Sequence, residues 1–168
     1  YARAEERGRQ AVALQPRDSW AVHAVAHVLE MQNRTGEGID WINKGSDYWA
    51  DDNGFAYHNW WHLALFHLDR GNAAEVLALY DRPIRNAAST MPMELIDASA
   101  LLWRLHLMGV GVGRRRKEVA DKYEATDEDG HYAFNDLHAM MAFAAGGRSH
   151  AAERLLATLA RRAEAPDW

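Results

Sequence analysis

The segment WAVHAVAHVLEMQNRTGEGIDW, residues 20–41, has the pattern of two helices joined by a short turn. Apolar residues recur on both sides of Asn33-Arg34 with the three-to-four-residue period of an amphipathic helix. The first of these helices carries His23 and His27, and their i, i+4 spacing puts both rings on one face. The segment therefore predicts a helical hairpin with two histidines side by side.

Turn-like dipeptides resembling Asn33-Arg34 recur along the chain at a constant spacing of 38 residues. Each one follows an apolar helical pattern, and a fixed period of this kind is typical of helical repeat proteins. The sequence thus predicts an all-α fold, an α-α superhelix (TPR-like solenoid) of about four helical hairpins plus a leading helix over Ala2–Leu14. The four dipeptides are Asn33-Arg34, Gly71-Asn72, Gly109-Val110 and Gly147-Arg148.

Helix ends are predicted from capping residues and from helix breakers. Asp18 or Ser19 is expected to cap the second helix, and Ser149 the last one. After the turn at Asn33-Arg34, a short helix from about Glu37 to Lys44 is expected. A polar loop over Gly45–Gly54, which contains Trp49, follows it. The remaining predicted helices are Phe55–Leu68, Ala73–Ile84, Met93–Met108 with Pro92 in its first turn, Arg115–Ala125, Tyr132–Ala145 and Ser149–Ala163.

Bulk properties limit the possible partners. A chain of 168 residues suits one domain, residues 1–168. Its formal charge of −5 gives no electrostatic reason to bind nucleic acid or an anionic membrane. The absence of cysteine excludes disulfides and thiolate metal sites, which fits a cytoplasmic protein. No apolar run approaches the ~20 residues that a membrane-spanning helix needs.

Three segments carry a family resemblance: residues 20–41, HNWWHLALFHLDRGN at 58–72, and DASALLWRL at 97–105. The hairpins resemble tetratricopeptide repeats (TPR), with Trp60 and Ala64 at two signature positions. Together the segments resemble the tetratricopeptide repeat protein 38 family. Members of that family are longer at the N-terminus, so the resemblance implies that this chain is a C-terminal portion. It implies a TPR-like fold and no particular activity.

The resemblance also implies which side chains line the concave surface of such an array. From these we expect a ligand-binding groove formed by Trp20, His23, His27, Glu30, His58, Trp61, His62, Trp103 and His138. The other positions expected on that surface are Leu65, Ile96, Ser99, His106, Phe134, Leu137 and Met141.

Two classes of function remain open for this surface. In the first, the groove is a binding site for a peptide or small molecule, with tryptophans as apolar anchors and histidines fixing orientation. In the second, two His-x3-His pairs hold Zn²⁺ or another divalent metal for hydrolysis. The metal ligands would be His23, His27, His58 and His62, and the candidate catalytic residues are His23, His62 and Glu30.

Simpler interpretations of the same residues also stand. The histidines could be bonded to neighbouring carbonyls, and Glu30 could be a solvated carboxylate or a partner of His27. Trp41, Trp49 and Trp60 are expected to be packing residues. Helix Ala2–Leu14 has no predicted helix before it, so weak self-association through its outer apolar side is expected.

Overall fold

A computed structural model describes residues 1–126 and 130–164 of the chain, and over this range it is built from helices without any strand. The all-α prediction is therefore confirmed. The helices are α1 (Ala2–Leu14), α2 (Ser19–Met31), α3 (Thr35–Trp49), α4 (Ala56–Asp69), α5 (Ala73–Leu79), α6 (Pro92–Leu107), α7 (Arg115–Ala125), α8 (Ala133–Gly146) and α9 (Ser149–Ala163), with a π-helical turn (Tyr80–Ile84) after α5.

The chain divides into two compact units, Tyr1–Asn86 and Ala87–Trp168. In the first unit each helix packs against the next, and α2 also packs against α4. In the second unit α6 packs against α7 and α8, α7 against α8, and α8 against α9. This succession of hairpins is the organisation of an α-helical repeat protein.

The four predicted turn dipeptides share one backbone conformation. Each begins with a residue in the left-handed region: Asn33 has φ 54°, Gly71 74°, Gly109 73° and Gly147 70°. A left-handed residue after the last turn is a common way to end a helix, because it redirects the chain and pairs the final carbonyls. The 38-residue spacing read from the sequence is therefore a repeat of structure as well as of residue type.

The second helix of the first hairpin is longer than predicted. The expected loop over Gly45–Gly54 is wrong, because α3 continues to Trp49. The indole of Trp49 is fully buried, with its ring 4.9 Å from that of Trp60, and this burial outweighs the cost of a glycine within the helix. Asn53 then ends the helix by donating from its side chain to the carbonyl of Trp49.

The capping predictions had mixed outcomes. Asp18 caps α2, with its carboxylate accepting from the backbone N–H of Ala21 at 3.0 Å. The prediction for Ser149 is wrong, since the N-cap of α9 is Arg148 and no side chain caps that helix. Ser149 already lies in the first turn of the helix.

Glycine allows the close approach of α3 and α4. A Cβ atom added at Gly38 would lie 2.3–2.6 Å from ring atoms of the fully buried Phe66. Real Cβ contacts are essentially never that short. The phenyl ring therefore packs directly on the backbone of α3, and this contact helps to set the spacing of the helices that carry the histidines.

We expect Gly38→Ala to lower the free energy of unfolding by about 1–3 kcal/mol, because the added methyl group overpacks the contact with Phe66. Gly36→Ala is the matched control in the same helix. Its Cβ would meet only the flexible end of Arg70, so it should be neutral or stabilising by up to about 1 kcal/mol. Urea denaturation followed by circular dichroism measures both values. Equal stabilities for the two variants would contradict the close-packing interpretation.

Candidate metal centre

The site is formed where α2 and α4 pack against each other in the first unit. A buried hydrogen bond fixes their relative position: Asn59 is fully buried, and its side-chain amide donates to the backbone carbonyl of Ser19 at 3.0 Å. This bond joins the first turn of α2 to the first turn of α4. Because this bond fixes the position of α4 along α2, the faces of the two helices that carry the histidines pack against each other.

Four imidazole rings converge between the helices. The Nε2 atom of His23 lies 2.9 Å from Nε2 of His27 and 3.1 Å from Nε2 of His58. The ring of His62 completes the cluster, with its centroid 4.8 Å from that of His23, 4.5 Å from His27 and 5.0 Å from His58. The structure thus brings together all four histidines that the sequence proposed as metal ligands.

His62 is the most buried member of the cluster, with 1% of its side chain exposed. Its Nδ1 atom lies 3.1 Å from Oε2 of Glu30, while its buried Nε2 atom has no hydrogen-bond partner among the described residues. Leaving a buried polar atom unpaired costs about 1–3 kcal/mol, so such an atom requires an explanation. Glu30 therefore contacts His62, and its carboxylate also lies within 4.8 Å of a ligand atom of His27.

The Nε2 atom of His23 cannot form regular hydrogen bonds with both of its histidine neighbours. A neutral imidazole has one N–H donor and one lone pair, so Nε2 of His23 forms a regular hydrogen bond with His27 or with His58 but not with both. A metal ion accepts several lone pairs at once. Nitrogens bound at about 2.0–2.1 Å to a tetrahedral Zn²⁺ are about 3.3 Å apart, close to the separations seen here.

Two overlapping sets of three side chains have ligand atoms within 4.8 Å of one another. The first consists of His23, His58 and His62, and the second of His27, Glu30 and His62. Three imidazoles with a remaining open position are a common arrangement in catalytic zinc sites. Two histidines with a carboxylate are typical of non-haem iron sites.

Aromatic rings surround the cluster. Trp20 stacks on Phe55 with centroids 3.9 Å apart, and both rings stand edge-on to His23. On the other flank, Trp61 lies parallel to His58 at 5.5 Å. Aromatic packing restricts the imidazole rotamers and lowers the local polarity. Phe55 and Asn59 were not identified from the sequence, because only the pairing of α2 with α4 reveals their roles.

The environment of His23 and His27 disfavours their protonated forms. Burial, and then the neighbouring imidazoles of His62 and His27, lower the pKa of His23 to about 3. Burial and the ring of His62 also lower the pKa of His27, partly offset by the charge of Glu30. Metal ions bind the neutral form of imidazole, so both rings are in the binding-competent form at neutral pH.

The other two predicted ligand-binding residues, Trp103 and His138, lie in the second unit. Trp103 contacts His106, with ring centroids 5.4 Å apart. His138 is buried, and its Nδ1–H donates to the backbone carbonyl of Phe134 at 2.7 Å, so this histidine follows the simpler interpretation. Besides His62 and His138, three further positions expected on an open surface are instead buried: Leu65, Ile96 and Ser99.

Comparison with known proteins adds no assignment: no protein-family model matches the chain, and no solved structure matches it. The resemblance to the tetratricopeptide repeat protein 38 family therefore stays a prediction. None of the helices in the described part of the chain is long and apolar enough to cross a membrane.

We expect the metal-free protein to lose stability as the pH falls below about 6.5. The pKa of His23 is near 3 in the folded protein, against 6.5 without the fold, so the unfolded chain binds an extra proton between these values. Unfolding free energies measured in EDTA between pH 7 and 5 should decrease, and His23→Gln should flatten the decrease. This range avoids Glu5, whose pKa is lowered mainly by its hydrogen bond to Arg34.

His150→Gln is the control for this experiment, because the side chain of His150 is 93% exposed. It should keep the pH dependence of the unmodified protein. An identical slope for His23→Gln and His150→Gln would show that the cluster does not exclude protons.

Proposed function

We propose that this chain is a TPR-like helical repeat protein of the tetratricopeptide repeat protein 38 type that binds one divalent transition metal ion, with Zn²⁺ as the best fit. His23, His58 and His62 are the primary ligands, and His27 lies beside them as a fourth nitrogen donor. The observation that carries the proposal is the convergence of Nε2 atoms at 2.9 and 3.1 Å beside the buried, unpaired Nε2 of His62.

The donor set favours certain metals. Neutral imidazoles suit Zn²⁺, Ni²⁺, Cu²⁺ and Co²⁺, whereas Mg²⁺ and Ca²⁺ prefer oxygen ligands. Glu30 is a carboxylate in contact with the cluster, and it lies against His62. A divalent ion with an open coordination position would attract an anionic or lone-pair ligand.

We propose further that the metal-bearing face captures a small molecule or a peptide. His27 lies outside the set of His23, His58 and His62, so three imidazole ligands with His27 unbound leave a coordination position open. The side chain of His27 is exposed, so solvent reaches this part of the cluster. Trp20 is 63% exposed and stacked on Phe55, which supplies a rigid apolar surface next to that position.

We also propose a cytoplasmic location, in keeping with a chain that contains no cysteine. Weak self-association through α1 remains part of the proposal.

The metal proposal predicts about one equivalent of bound Zn²⁺ per chain after reconstitution of protein purified without a His tag. Isothermal titration calorimetry and elemental analysis measure stoichiometry and affinity. His23→Ala and His62→Ala should each weaken Zn²⁺ binding by tenfold or more, because each removes a nitrogen donor. His150→Ala, which removes an exposed histidine on α9, should bind as the unmodified protein does.

Mg²⁺ should show no saturable binding in the same titrations. Circular dichroism distinguishes lost ligands from lost structure, since each variant must keep its helical spectrum. Absence of Zn²⁺ binding by the folded, unmodified chain would overturn the proposal, as would equal binding by His62→Ala and His150→Ala.

Metal-assisted hydrolysis is the second candidate function, and the exposure of His27 favours it because water can reach the open position. Bound Zn²⁺ lowers the pKa of its water to about 7 and so supplies hydroxide at neutral pH. Glu30 contacts His62, which favours an orienting role over the catalytic role proposed for it from the sequence. In this candidate, the metal itself activates the water.

Hydrolysis predicts that the Zn²⁺-loaded protein cleaves activated esters or phosphoesters faster than the metal-free protein does. Rates with p-nitrophenyl acetate and p-nitrophenyl phosphate should fall at least tenfold in His23→Ala and remain unchanged in His150→Ala. Stoichiometric Zn²⁺ with no rate above background would leave ligand capture as the function and eliminate hydrolysis of these ester classes.

A further inference from the structure

We infer that Glu30 is a positioning residue for the metal: it holds the ring proton of His62 on Nδ1 and thereby turns the lone pair of Nε2 toward the ion. The inference rests on the proposed metal-binding function. It also predicts that the chain binds one ion, although two sets of ligand atoms are present.

The first step is the position of the ring proton in the neutral form of His62, which is the form that binds metal. Nδ1 lies 3.1 Å from Oε2 of Glu30, and a carboxylate oxygen only accepts hydrogen bonds. Nδ1 is therefore the protonated nitrogen, and Nε2 carries the lone pair. The alternative tautomer would set a lone pair against a carboxylate and would bury an N–H group without an acceptor among the described residues.

The second step is the direction of that lone pair. The ring of His62 is 4.8 Å from that of His23 and 5.0 Å from that of His58, and these three residues form one of the two ligand sets. With Nδ1 protonated, His62 is a ligand for this set through Nε2. A carboxylate bonded to the remote nitrogen of a ligating histidine fixes the ring and raises its basicity.

The third step concerns the other set, His27, Glu30 and His62. Binding an ion there as well would require His62 to lose its ring proton and bridge two cations. Glu30 would also have to exchange a hydrogen bond for a metal bond. Two ions around one imidazole repel each other strongly in a half-buried site, where the effective dielectric constant is far below that of water. A single ion bound by His23, His58 and His62 leaves Glu30 hydrogen-bonded to His62. It avoids both the loss of this hydrogen bond and the repulsion between two ions.

The side chain of Glu30 is suited to this role. It is 29% exposed, so its charge is partly solvated and carries no full burial penalty. Its position near the C-terminal end of α2 places it within reach of α4, where His62 is 1% exposed and has little freedom to rotate. The partly exposed carboxylate of Glu30 thus contacts the buried imidazole of His62, and the imidazole is the group proposed to bind the ion.

The test uses Glu30→Leu, which removes the acceptor, and Glu30→Gln, which keeps a neutral carbonyl acceptor at the same position. Glu153→Gln is the matched control, because Glu153 also lies near a histidine nitrogen, 3.5 Å from Nδ1 of His150, with both side chains largely exposed. Long-range ¹H–¹⁵N spectra of the metal-free proteins report which ring nitrogen of His62 is protonated. The His62 signals are assigned by their loss in His62→Gln.

We expect an Nδ1–H tautomer for His62 in the unmodified protein and in Glu153→Gln, and a shift toward Nε2–H in Glu30→Leu. Zn²⁺ affinity should fall tenfold to a hundredfold in Glu30→Leu and less in Glu30→Gln. The stoichiometry should stay at one ion per chain in all of them. The visible spectrum of the Co²⁺-loaded protein should change in Glu30→Leu, because the ring of His62 would no longer be held in the same orientation toward the ion.

Two results would overturn the positioning role. One is an Nε2–H tautomer in the unmodified protein. The other is a stoichiometry of two ions that drops to one in Glu30→Leu, which would make Glu30 a metal ligand. The tautomer is measured without metal, so its outcome is separate from the proposed function, which fails if the unmodified chain binds no Zn²⁺.

Discussion

The hydrogen bond from Asn59 to the carbonyl of Ser19 is the constraint on which the candidate site depends. It is fully buried, and it connects the beginnings of two helices that are 40 residues apart in the chain. A shift of α4 along α2 by one residue would move its side chains by about 1.5 Å and rotate the histidine face away by about 100°. Breaking the bond would leave the fully buried amide N–H of Asn59 without its acceptor, so this bond favours the observed register. The convergence of the imidazoles follows from that register.

Convergence of neutral imidazoles is energetically unfavourable in the absence of a ligand. The buried and half-buried rings lose hydration, and the rings can exchange only a limited number of hydrogen bonds among themselves. Protonation does not relieve this, since burial and the neighbouring rings hold the pKa of His23 near 3. A positively charged ion that accepts lone pairs relieves both problems, because it replaces the lost hydration and needs no extra protons. The lost hydration and the limited hydrogen bonding make a metal-free cluster unfavourable, and for the same reason they favour the binding of a metal ion.

The sequence was sufficient to predict the repeat, because it follows from periodicity, and the left-handed turn residues fall at the predicted 38-residue spacing. The i, i+4 spacing placed His58 and His62 on one face of a helix, whereas the expectation that this face meets α2 came from the family resemblance. The extent of α3 was missed, since Gly45 has the local signature of a helix end and only the burial of Trp49 overrides it. The contact of Glu30 with His62 was also missed. It depends on the rotation and spacing of two helices to within about an ångström, which residue spacing does not encode.

The second unit contains an internal comparison for the interpretation of His62. His138 is also an inward-facing histidine on a repeat helix, and it is likewise buried, yet its Nδ1–H is bonded to the carbonyl of Phe134 one turn earlier. This is how a helix accommodates a histidine that only packs: the ring is satisfied locally by the backbone, and it needs no neighbour. His62 instead has its Nδ1 against a carboxylate from another helix, and its Nε2 has no hydrogen-bond partner among the described residues, although its ring lies 4.8 Å from that of His23. Because the same fold satisfies one buried histidine without any ligand, burial in a helical repeat does not by itself explain the arrangement at the other. The difference between them is what points to a bound ion.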